Sequence, residues 1–66
     1  MPKTFIIVNP VAGAGLGKKR WEKFSAELNQ ANQVFEYWFT EYPNHAGEMA
    51  REALEAGWTR LEIFGS

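Results

Sequence analysis

Sixty-six residues make one small unit, near the lower limit at which a hydrophobic core sustains itself, and the absence of cysteine removes the disulfides that staple many chains of this size. A net charge of −1, from 7 basic and 8 acidic residues, argues against a general nucleic-acid surface. The longest apolar run is far short of the roughly 20 residues that span a bilayer, Met1-Pro2-Lys3 opens no signal peptide, and a chain without cysteine is compatible with a reducing compartment; the expectation is a soluble, cytoplasmic protein.

Thr4 to Val8 is apolar at every position from Phe5 onward, the pattern of a central parallel strand covered on both faces. Asn9-Pro10 should stop it, because proline has no N–H for the ladder and pushes the residue before it toward extended geometry. Gly13, Gly15 and Gly17 follow, and then the basic residues Lys18, Lys19 and Arg20. A strand, a glycine loop and a helix start allow backbone N–H groups to approach an anion closely. Phosphate is the candidate ligand, and the alternative is a tight strand-to-helix turn that binds nothing. Two glycine signatures fit badly. Counting back from Gly17-Lys18 puts Ala12 at the first glycine of a Walker A loop, with Lys19 in place of the hydroxyl that would hold magnesium. The dinucleotide pattern GxGxxG starts at Gly13 and Gly15 but meets Lys18 at its third glycine. Lys18 and Arg20 could neutralise phosphate or simply solubilise the helix; Lys18, directly after the last loop glycine, is the preferred one.

A helix is predicted from about Gly17 to Asn32, since Trp21, Phe24, Leu28 and Ala31 recur every three or four residues and share one face. Val34 to Tyr42 is β-branched and aromatic and reads as a second strand. The intervening helix makes a parallel crossover the natural connection, so Thr40 should stand on the same rim as the glycine loop, as a phosphate or nucleotide contact or as an ordinary strand threonine. Pro43-Asn44 breaks the strand. Asn44 should cap a second helix with Glu48 in its first turn and Ala46, Met49, Ala50, Ala53 and Leu54 as the buried stripe. Gly57 is the expected C-terminal cap residue, with Trp58 packing back on the helix end. His45, without a second histidine or a cysteine nearby, is read as a loop-bracing or surface side chain and not as a metal ligand.

Arg60 to Phe64 alternates polar and apolar, with Leu61 and Ile63 on one face, and runs into Gly65-Ser66. The chain therefore reads as α/β: a Rossmann-like βαβαβ unit with a three-stranded parallel sheet in order 2-1-3 and helices on both faces. The first strand takes the centre because the two glycine-ended strands must be neighbours to touch one phosphate chain.

Three blocks carry a family resemblance. FIIVNPVAGAGLGKKR resembles the first strand and glycine loop of the diacylglycerol kinase catalytic domain, shared by bacterial lipid kinases, sphingosine kinases and ceramide kinases. FTEYPNHAGEMAREAL resembles the second block of that family, in which a threonine ends the second strand and Asn-His-Ala opens the next helix. RLEIFGS resembles the strand that leads into the Gly-Gly-Asp-Gly-Thr signature.

The resemblance implies the N-terminal part of the NAD kinase/diacylglycerol kinase-like fold and an ATP-binding domain. Its kinase would pass the γ-phosphoryl group to a lipid hydroxyl such as that of diacylglycerol, with Mg2+ as cofactor, in phospholipid metabolism. It further implies that Asn9, Pro10, Val11, Ala12 and Gly13 contact nucleotide phosphates, that Thr40 contacts the nucleotide, and that Gly65 and Ser66 begin the nucleotide loop. Ser66 stands where the second glycine usually is. The signature aspartate, the acceptor-binding domain and the acidic general base are expected beyond residue 66. Residues 1–66 are thus expected to be the N-terminal part of the ATP-binding domain, truncated at that loop and inactive as a kinase. Glu36, Glu41, Glu48 and Glu62 lie in no metal-holding motif; Glu41, nearest the rim, is read as a solvated charge. The alternative function is a non-catalytic βαβαβ module for small-anion binding or self-association. Three tryptophans, two tyrosines and five phenylalanines, together with an edge strand at Arg60 to Phe64, lead us to expect a homodimer.

Overall fold

A computed structural model describes residues 4–65; Ser66 and the first three residues lie outside the described part. Strand β1 (Thr4–Val8) is followed by a helical turn α1 (Ala12–Gly15), helix α2 (Gly17–Gln30), strand β2 (Phe35–Phe39), helix α3 (His45–Glu55) and strand β3 (Leu61–Phe64). The sheet is parallel throughout and ordered β2-β1-β3, so the uniformly apolar strand is the central one, as expected. Ile6, Ile7 and Val8 are its fully buried residues, which requires cover on both faces.

Alternation along the strands divides the core in two. Ile6, Val8, Phe35, Phe39 and Phe64 gather with Trp21, Phe24 and Leu28 of α2. Trp21 is the centre of this layer: its ring lies 4.9 Å from Tyr37, 5.4 Å from Phe64, 5.9 Å from Phe35 and 6.0 Å from Phe24, joining both outer strands across β1. Replacing such a side chain by alanine costs about 3–5 kcal/mol, as much as a core of this size supplies in all. The opposite face is covered by α3 through buried Met49 and Ala53, and by Trp58, which meets Phe5 edge-on at 5.3 Å. Helices therefore lie on both faces.

Strand β3 begins at Leu61 and not at Arg60, and other boundaries or roles also differ from the sequence expectations. Helix α2 ends at Gln30, with Ala31 at its cap and exposed and Asn32 left-handed, because Asn29 to Gln33 offers no further apolar contact to the sheet. Strand β2 covers only Phe35–Phe39: Thr40 N–H still donates to the Val8 carbonyl at 2.8 Å, but a turn closed by His45 N–H on the Tyr42 carbonyl takes the chain away from the sheet. Leu54 is 58% exposed, since Met49 and Ala53 already point at the sheet and the next residue is rotated about 100° around the helix. Asn44 occupies the cap position of α3 but is left-handed, with φ of 67°, and makes no side-chain cap; Asn is among the few residues that adopt this conformation readily.

Candidate functional site

The C-terminal ends of β1 and β3 meet at Asn9. Its N–H donates to the Phe64 carbonyl at 3.0 Å, which carries the ladder one step past the strands. Its side-chain Oδ1 accepts from Val11 N–H at 3.1 Å, an Asx turn that folds the loop back at once. Its carbonyl accepts from Ala12 N–H at 3.3 Å. The start of α2 is pressed against the same carbonyl: a Cβ at Gly17 would lie 2.4 Å from Asn9 O, and Lys18 N–H donates to the Pro10 carbonyl at 3.0 Å. Gly65 closes in from β3 with φ of 77°, where a Cβ would stand 3.0 Å from Asn9 O and 3.2 Å from Ala12 Cβ. The backbones of Asn9, Ala12, Gly17 and Gly65 are thus packed together by residues too small to keep them apart.

Within this knot Ala12 is helical and Gly13 left-handed, with φ of 64° and ψ of 47°. A right-handed residue followed by a left-handed one turns successive N–H groups toward a common point, the geometry of an anion-holding nest. Arg20, one helical turn into α2, lies over the loop, since a Cβ on Gly13 would come within 2.8 Å of its Nη1. The preference for Lys18 overlooked this contact. Arg20, three residues after Gly17, returns to the same side of the helix as its start.

Beside the knot is a cleft of about 450 Å3 at the rim where open α/β sheets bind ligands. Asn9, Pro10, Val11 and half-buried Thr40 line it, with Ile7 and Ile63 as its floor. Ala12, Gly13, Lys18 and Gly65 are not among its lining residues. Its far wall, Tyr42 to Ala46, is braced internally. Glu41 N–H donates to His45 Nδ1 at 3.0 Å, and Tyr42 stacks on the His45 ring at 4.2 Å. The Tyr42 hydroxyl donates to Glu48 Oε2 in α3. That hydrogen bond, reinforced by burial and by the nearby Glu48, Glu41 and Glu52 charges, holds the Tyr42 phenol above its ordinary value of 10.0. Sequence reading missed the Tyr42–Glu48 contact because it joins a loop to a helix across six residues, a spacing with no periodic signature.

Among the described residues, no group of three or more histidine, cysteine, aspartate or glutamate side chains could hold a metal ion. No helix among them is long and apolar enough to cross a membrane.

The model of the diacylglycerol kinase catalytic domain family matches residues 3–65, nearly the whole sequence, and the chain belongs to that family. Its sheet order and α/β build are consistent with a diacylglycerol-kinase-like fold. Membership makes this the nucleotide-binding region of a lipid-kinase-type domain, and with it come ATP and lipid as the family's substrates. No curated protein and no solved structure matches the chain.

Proposed function

We propose that the chain is the ATP-binding part of a lipid kinase, with the nucleotide phosphates on Asn9, Pro10, Val11, Ala12 and Gly13, and Thr40 as the second contact from β2. Gly65 and Ser66 begin the loop that completes the phosphate site, and Lys18 and Arg20 neutralise charge at its edge. The acceptor is a lipid hydroxyl such as that of diacylglycerol, and the setting is the cytoplasm. The reading rests chiefly on one observation: Asn9, Pro10 and Val11, which lead into the Ala12-Gly13 turn, and Thr40 at the end of β2 line one cleft large enough for a small ligand.

Phosphoryl transfer is mostly positioning and charge neutralisation, and it needs metal-holding carboxylates and a group that orients the attacking hydroxyl. Of the residues that line the cleft, Glu41 is the carboxylate, and it belongs to no group of three or more metal-ligating side chains among the described residues. The chain therefore binds nucleotide without transferring phosphate by itself. Magnesium, the family's expected cofactor, is assigned to none of its residues.

Calorimetric titration tests this reading. ATP should bind, adenosine without phosphates should bind far more weakly, and Gly13→Val should weaken ATP binding by about tenfold, the worth of one charge-assisted hydrogen bond. Equal affinity for adenosine and ATP, or an unaffected Gly13→Val chain, would contradict it.

A further inference from the structure

A second cavity, of about 400 Å3, opens on the α3 face of the sheet, below the Tyr42 to Ala46 wall. Two tryptophans line it, Trp38 from β2 and Trp58 from the segment after α3, with Phe5 at the base. Trp38 is 63% exposed, although it points to the same side of the sheet as buried Met49 and Ala53. Trp58 is held in place by its edge-on contact with Phe5 and by its N–H, which donates to the Ala53 carbonyl at 3.0 Å. Two carboxylates, Glu41 and Glu52, complete the rim, and no lysine or arginine lines the cavity.

Indole rings attract a cation through their negative faces, most strongly of the aromatic side chains, and nearby carboxylates add a long-range field of the same sign. A compact organic cation satisfies both features at once. A neutral apolar ligand would leave the carboxylates unused, and an anion would be repelled. We propose that this cavity binds a small quaternary or alkylated ammonium group, with Trp38 and Trp58 as its aromatic walls and Glu41 and Glu52 as its counter-charges. The inference is independent of the nucleotide reading, although Glu41 and His45 line both cavities and form the wall between them.

The same ammonium chemistry is offered by free choline and by a choline headgroup on a lipid, so the experiment has an arm for each. The full chain is titrated with choline and with its neutral isostere 3,3-dimethyl-1-butanol, following backbone amide shifts. It is also floated with phosphatidylcholine vesicles in the presence and absence of free choline. Choline should bind at least about threefold more tightly than the isostere, and Trp38→Leu and Glu52→Gln should each weaken it by about two- to fivefold. Both substituted side chains are exposed, so the fold should persist; if Trp38→Leu fails to fold, Glu52→Gln decides. Vesicle capture that free choline reverses assigns the site to a lipid headgroup, whereas choline binding without capture assigns it to a soluble cation, and either supports the proposal. Equal binding of choline and the isostere, binding unchanged in a folded variant, or no binding in both arms would overturn it.

Discussion

The Asn9 carbonyl and the α-carbon of Gly17 are so close that a β-carbon on Gly17 would lie 2.4 Å from the Asn9 oxygen. The obstacle is backbone, which cannot swing aside as the end of a side chain could. Gly17→Ala gains helix propensity of up to about 1 kcal/mol but must part α2 from β1, and overpacking of that kind costs about 1–3 kcal/mol. Net destabilisation is expected. Gly47, inside α3 with open space around its α-carbon, is the control: Gly47→Ala should stabilise the chain by about 0.5–1 kcal/mol. Thermal melts of the two variants should move in opposite directions.

Tyr42 supplies a titration with a definite sign. Its folded-state value lies above the ordinary 10.0, because the phenol donates to Glu48 and the surrounding negative charge opposes phenolate. A raised value means that the stabilisation from this contact is fully present below about pH 10 and is lost as the pH rises through the folded-state value. Removing the acceptor's charge with Glu48→Gln should return the Tyr42 titration toward 10.0, as followed by the chemical shift of its ring carbons. A titration of Tyr42 that does not move would show that the hydroxyl points elsewhere.

Thr40 is bound to the fold through its backbone, by the 2.8 Å hydrogen bond to Val8, while its residue lines the cleft. Thr40→Val keeps the branched shape and removes the hydroxyl. It should leave the melting temperature within a degree or two while weakening ATP by about fivefold, the worth of one neutral hydrogen bond. A variant that loses stability and keeps its affinity would make Thr40 structural.

Much of the fold was legible because single features determined it. Phe5 to Val8 has no polar position, so only the centre of a parallel sheet accommodates it, and Trp21, Phe24 and Leu28 have no helical arrangement that separates them. Leu54 was misplaced because Ala53 and Leu54 are adjacent and both apolar, and only the sheet decides which of the two it meets. Asn44 suited both a cap and a left-handed turn, and the residue type does not distinguish them. At the site, the glycine loop and Thr40 could be recognised, but the hub role of Asn9 could not. It arises from the approach of Gly17 and Gly65 to one carbonyl, and the second of these contacts spans more than fifty residues of sequence.

The two outer strands bear on self-association. Trp38 on β2 and Ile63 on β3 are 63% and 54% exposed, and each outer strand has one ladder edge that β1 does not occupy. Unpaired edges and apolar surface favour pairing, and a two-fold dimer through β3 is the expected arrangement. Light scattering at micromolar concentration should give twice the monomer mass, and Ile63→Lys should return the chain to monomer. A folded, strictly monomeric chain would refute this expectation.

Amide shifts of the isotopically labelled chain during titration with ATP test the nucleotide site most directly. The proposed site predicts that the largest changes fall on Val11 to Gly13, Thr40 and Gly65, with Gly47 and Gly57 unmoved. Absence of any saturable change, or changes that leave the Asn9 to Gly13 loop and Thr40 unaffected, would contradict it.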